Sequence, residues 1–88
     1  MKIKEGYVIR KVMGNNVVIA TGEASRNFHG MIKLNDNARE IWEYISEGLC
    51  EDEICARMTG KYEIDVETVK SDVRKTLDAL EKQGIIEI

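Results

Sequence analysis

The sequence predicts an α+β domain of winged helix-turn-helix type: a three-stranded antiparallel sheet followed by a three-helix bundle, with residues 1–88 forming a single unit. Three observations lead there. Before Asn35, short runs rich in β-branched and aromatic residues alternate with glycine- and asparagine-bearing turns. After Asn35, apolar residues recur at helical spacing. No interval between the strands is long enough to carry a crossover helix, so the strands must pair antiparallel.

The first strand covers about 7–13, Tyr7 to Met13, and stops at Gly14-Asn15-Asn16, residue types that tolerate positive φ. The second follows at about 17–21. A polar connection with glycine at both ends, Gly22 to Gly30, leads to a short third strand at 31–34. The first helix, about 36–47, is marked by Ala38, Ile41, Trp42 and Ile45; Asn35, Asp36 and Asn37 are each suited to cap it, and Asn37 with Glu40 fits a capping box. Gly48 stands where a glycine closes a helix. A second helix at about 51–59 carries Ile54, Cys55 and Met58 after an acidic first turn, with Gly60 as its stop. Asp65 caps a third at about 66–83, striped by Val66, Val69, Val73, Leu77 and Leu80. Gly84 ends it, and Ile85 to Ile88 read as an extended tail.

Composition removes several function classes. With 43% hydrophobic and 33% charged residues the chain has the balance of a folded domain rather than a disordered one. No apolar run approaches the ~20 residues that span a bilayer, and Met1-Lys2-Ile3-Lys4-Glu5 lacks the apolar stretch of a signal peptide. The expected location is the cytoplasm, with no membrane partner. Cys50 and Cys55 fall on different faces of a helix, about 140° apart, which excludes a disulfide between them. Two separated cysteines and His29 are too few for a metal centre. No nucleophile–base pair and no phosphate-cradling glycine loop is present, so neither catalysis nor a cofactor is expected.

Charge is unevenly placed. Residues 1–35 carry six Lys and Arg against two acidic residues, and residues 36–88 carry seven against fourteen. A DNA-reading winged helix needs a basic recognition helix. Between Asp65 and Lys82, four basic residues face five acidic ones, so a DNA-binding regulator is the weaker alternative and no nucleic-acid partner is expected.

The ordered set Phe28-His29-Gly30, Met31-Ile32-Lys33-Leu34-Asn35 and Ala38 with Ile41-Trp42 resembles the PqqD-like family. The likeness continues through Gly48, Glu53-Ile54, Tyr62, Ile64-Asp65, Asp72-Val73, Leu77, Leu80 and Gly84-Ile85-Ile86. The resemblance implies a non-catalytic recognition element for ribosomally made, later modified peptides. Such domains add the leader of a precursor peptide as an extra strand beside the third strand, in a cleft against the third helix. They present it to a modifying enzyme, often a radical S-adenosylmethionine protein. Cys50 departs from the family pattern, where Ser or Thr caps the second helix.

On this reading the peptide-binding residues are Met31, Ile32, Lys33 and Leu34 on the strand, with Lys70, Val73, Arg74 and Leu77 on the helix. Each has a plainer alternative. The third strand is either a binding edge or an ordinary meander edge guarded by Lys33. Lys70 and Arg74 share a helix face, suited either to an acidic peptide or to solvent and pairing with Glu67 or Asp78. Val73 and Leu77 belong to a stripe that is mainly core. Asp72 is open between an exposed charge and a groove contact. An adaptor that binds another protein through the same groove is the third reading. Homodimers, where they form, are expected to use the third strand's edge or exchanged N-terminal strands; otherwise the chain is a monomer.

Overall fold

The computed structural model describes residues 1–26 and 31–87; the expectations placed on Phe28, His29, Gly30 and Ile88 lie outside the described residues. In chain order the elements are β1 (Lys2–Ile3), β2 (Tyr7–Val12), β3 (Asn15–Ala20), a 3-10 turn (Gly22–Arg26), β4 (Ile32–Leu34), α1 (Asp36–Ser46), α2 (Glu51–Tyr62), α3 (Val66–Lys82) and β5 (Ile86–Glu87). The three strands read from the sequence are β2, β3 and β4. They form one antiparallel sheet in that order, and the helices follow it. No helix among the described residues is long and apolar enough to cross a membrane.

The hairpin turn sits one residue earlier than the glycine–asparagine run suggests. Met13 and Gly14 are its two central residues, with φ of 50° and 83°, as a two-residue primed turn requires. Asn15 and Asn16 therefore belong to β3. This turn sets the phase of the whole sheet. Val12 and Asn15 close the hairpin as a hydrogen-bonded pair, and such pairs alternate along an antiparallel ladder. The 2.6 Å bond from the Thr21 N–H to the Gly6 carbonyl falls on the same alternation. Asn15, Val17 and Ile19 thus turn their backbone groups toward β2, and Asn16 and Val18 turn theirs toward β4. Their partners across β4 are Leu34 and Ile32. Lys33, between these two, directs its N–H and C=O away from the sheet.

One face of the sheet packs on the helices. Val18 is fully buried there, with Ile9, Ile32 and Leu34 against the same core. α1 contributes Ile41, Trp42 and Ile45, α2 contributes Ile54, Cys55 and Met58, and α3 contributes Val69, Val73, Leu77 and Leu80. Val66 stands at the top of the expected α3 stripe but is exposed: it is the first residue of the helix, and the buried stripe begins one turn later at Val69. The tail is a core element: Ile85 and Ile86 are buried, and β5 pairs antiparallel with β1 through Lys2↔Glu87 and Ile3↔Ile86. Burying an Ile side chain of this kind stabilises the fold by about 1.5–3 kcal/mol.

Helix ends follow local chemistry. The Asn35 side chain accepts from the Ala38 N–H at 2.8 Å, and Asp65 accepts from the Thr68 N–H at 3.3 Å. Past α1, the Gly48 N–H donates to the Ile45 carbonyl and the Leu49 N–H to the Tyr44 carbonyl, a Schellman closure around a glycine at φ 92°. α2 does not stop at Gly60. It continues to Tyr62 and ends at Glu63, φ 52°, since a mid-helix glycine costs only about 1 kcal/mol and Lys61 and Tyr62 are held by Glu40 of α1. Where Cys50 replaces a hydroxyl cap, the Glu53 carboxylate still accepts from the Cys50 N–H at 3.0 Å.

Candidate functional site: a groove beside an open strand edge

Among the described residues β4 is an end strand of its sheet, with β3 on one side only. Along its other side lies a groove of about 300 Å³, floored by Ile32, Leu34 and Ala38 and walled by Lys75, Thr76, Ala79, Leu80 and Gln83 of α3. The open edge presents the backbone N–H and C=O of Lys33, as the hairpin phase requires. Met31, 69% exposed, extends the edge. An extended segment laid here would pair with this edge, and every second side chain would point between the sheet and α3.

The far end of β4 is held by Asn16, a buried polar residue at 3% exposure. Its amide nitrogen donates to the Leu34 carbonyl at 3.1 Å and to the Asp36 carboxylate at 3.0 Å. Its carbonyl oxygen accepts from the Arg39 guanidinium at 3.1 Å. One side chain thereby ties β3, the exit of β4 and the first turn of α1. A buried asparagine with both ends of its amide engaged rigidifies its surroundings, and here these surroundings include the strand that bounds the groove.

A second cavity, about 330 Å³, continues past Asn35. Ile41, Met58, Tyr62, Ile64 and Val69 supply its apolar wall, and Asp72, Lys75 and Thr76 form the rim it shares with the helix. Lys75 and Thr76 line both cavities. The Tyr62 wall is braced from behind. Glu40 accepts from the Tyr44 hydroxyl at 2.6 Å and from the Tyr62 hydroxyl, and it pairs with Lys61 at 3.3 Å. Burial pushes the Glu40 carboxyl up, but the bonds from Tyr44, Tyr62 and Lys61 outweigh it and hold it below its ordinary value. The same contacts raise both tyrosines, chiefly through the hydrogen bond to Glu40.

The structure brings together only part of the residue set expected from sequence. Ile32, Lys33 and Leu34 line the groove's strand side, and Met31, just before them, is exposed and outside the lining. Val73 and Leu77 do not reach it: both are 0% exposed and packed within the core. Lys70 and Arg74 occupy a different flank of α3, beside Glu51, Asp52 and Glu67 of an acid-lined surface. Arg74 is already engaged, with Glu51 at 2.7 Å and Asp78 at 2.8 Å, and its guanidinium is raised chiefly by the bond to Asp78. The α3 residues that do face β4 are Lys75, Thr76, Ala79 and Gln83, spaced by three and four along the helix. Asp72 continues that line into the second cavity. The 3-4 spacing of this flank is visible in sequence, but it carries no apolar stripe to single it out.

The chain's relatives can now be set beside this geometry. No curated protein sequence matches it. Among solved structures, TbiB1 in complex with the TbiA(beta) leader peptide superposes with a TM-score of 0.80 at 25% identity, over 99% of this chain and 95% of that one. Lasso peptide synthetase B1 complexed with the leader peptide gives 0.77 at 15% identity, over 96% and 93%, and shows a shared fold. The family model described as coenzyme PQQ synthesis protein D matches residues 17–86, from β3 through β5. The chain belongs to the PqqD family.

Proposed function

We propose that this protein is a non-catalytic binding partner in the maturation of a ribosomally synthesised peptide. It takes the precursor's leader as an added strand on β4 and presents it to a modifying enzyme in the cytoplasm, most simply a radical S-adenosylmethionine protein. The observation that carries the reading is the open β4 edge, rigidly anchored by Asn16 and facing a groove against α3. Two proteins of the same fold carry leader peptides in their solved structures, which supports the same class of ligand here. The contact set is the Met31–Leu34 edge with Lys75, Thr76, Ala79 and Gln83 opposite. The chemistry belongs to the partner enzyme.

The test is calorimetric titration with a synthetic precursor leader peptide. Lys33→Pro removes an N–H that points out of the sheet, so the fold should survive. Binding should fall about tenfold, as lost strand bonds are worth ~0.5–1.5 kcal/mol each and the ring obstructs the neighbouring strand. Ile32→Pro removes an N–H that points to β3, and should damage the fold itself. A folded Lys33→Pro protein that binds the leader with unchanged affinity places the peptide elsewhere.

A further inference from the structure

The groove beside β4 has an electrostatic character that the rest of the helical half lacks. From Asp36 onward acidic residues outnumber basic ones two to one, and the neighbouring flank of α3 is lined by Glu51, Asp52 and Glu67. Yet among the described residues that line the β4 groove the only charged ones are Lys33 and Lys75, with no carboxylate. Neither lysine has an ion-pair partner among the described residues, whereas Arg39, Lys61 and Arg74 are all paired. The nearest charge to Lys75 along the helix that is not in an ion pair is Asp72, three residues earlier, on the rim of the second cavity and outside the β4 groove.

We propose that Lys75 is a specificity-determining residue that selects an acidic side chain on the inward face of the bound strand, with Lys33 selecting a second acidic side chain on its outward face. This rests on the strand-addition reading above and deepens it.

The positions follow from the pleat. Lys33 shares a side-chain face with Val17, its cross-strand partner, and opposes the face of Ile32 and Leu34. A residue paired with Lys33 therefore projects outward beside the Lys33 ammonium. Its immediate neighbours project inward over Leu34, Ala38 and the Lys75–Ala79 side of α3. The two selected acids thus lie an odd number of positions apart. Between an exposed strand and a rim lysine, an ion pair is weak singly, but its loss and replacement by repulsion changes partner choice strongly.

The experiment is selection of random 12-residue peptides displayed on phage against the full chain, with binding of the enriched peptides then measured individually. The wild type should enrich strand-forming peptides with Asp or Glu at two positions of opposite parity. Lys75→Glu should replace the acid at one of them by Lys or Arg and leave the other unchanged; Lys33→Glu should do the reverse. An acid-selected peptide should bind Lys75→Glu about tenfold more weakly and Lys75→Gln by an intermediate factor, while the distant Glu47→Lys variant binds as wild type. Circular dichroism confirms that each variant is folded. Peptides that lose binding to Lys33→Pro but keep the same acidic preference against Lys75→Glu overturn the role of Lys75 and leave strand addition intact. Peptides that bind Lys33→Pro as well as wild type, or a selection that enriches nothing, overturn strand addition and this inference together.

Discussion

Replacing Asn16 by alanine tests whether the β4 edge is held in place by a single buried amide. The substitution removes three hydrogen bonds, to the Leu34 carbonyl, the Asp36 carboxylate and the Arg39 guanidinium, at 3.0–3.1 Å. Bonds to charged groups contribute about 1.5–3 kcal/mol each when buried, and a neutral bond about 1 kcal/mol. Asp36 is exposed and Arg39 half-buried, so water takes over part of their share, which discounts each to about 0.5–1 kcal/mol. The Leu34 carbonyl keeps the ladder N–H of residue 16 and loses its second donor, the side-chain amide, a neutral bond of about 1 kcal/mol. The expected loss is about 2–3 kcal/mol, or roughly 10–20 °C in Tm for a domain of this size. Urea melts followed by circular dichroism give the first number and thermal melts the second. Leader titration below the new Tm should also weaken, since the carbonyl end of β4 is no longer fixed for an incoming strand. A loss under about 0.5 kcal/mol, with unchanged leader affinity, would refute the idea that Asn16 organises this edge.

Four further outcomes follow from the same geometry. Glu40 is held below its ordinary carboxylate value in the folded chain, so its contribution is fully present above about pH 4.5 and is lost as pH falls through the lower folded value. Glu40→Gln should therefore destabilise the protein by about 1–2 kcal/mol at pH 7 and match the wild type in acid, as read from urea midpoints across that range. Leu77→Ala should cost about 2–5 kcal/mol while leaving leader affinity unchanged under folding conditions, because Leu77 is core. Ala79→Trp places a bulky side chain on an exposed turn of α3 within the groove; calorimetry should show binding weakened or abolished with the melting curve preserved. If the chain dimerises through β4, saturating leader should return it to monomers in analytical ultracentrifugation, since one edge holds one added strand.

The helices and most of the core were legible because their signals are local. Ala38, Ile41, Trp42 and Ile45 declare a buried face by spacing alone, and Asn35, Asp65, Gly48 and Gly84 mark boundaries through caps that need only neighbouring atoms. The family likeness rested on the same ordered residues. The exact turn was less visible: Gly14 pointed to the hairpin, but the place of Met13 in it depends on Asn16 being drawn into β3 by partners 18–23 residues away. Pairing of β1 with β5 was invisible, since two-residue strands at opposite ends of the chain carry no periodicity.

The groove divides along the same line. The sequence by itself determined that 31–34 would be a short strand and that α3 would lie with one apolar stripe inward. It could not say which flank of that stripe would meet β4, because a helix offers two flanks that differ by a rotation and only its packing direction chooses between them. Lys70 and Arg74 stand on one flank and Lys75 and Ala79 on the other. Packing of Val69, Val73, Leu77 and Leu80 against α1, α2 and the sheet set that rotation. It turned Lys70 and Arg74 toward the acidic side chains of α2 and left Lys75 facing the open edge. Sequence also placed Lys33 on an edge, but only the hairpin phase, carried across β3 by hydrogen-bond alternation, decided that its backbone points outward.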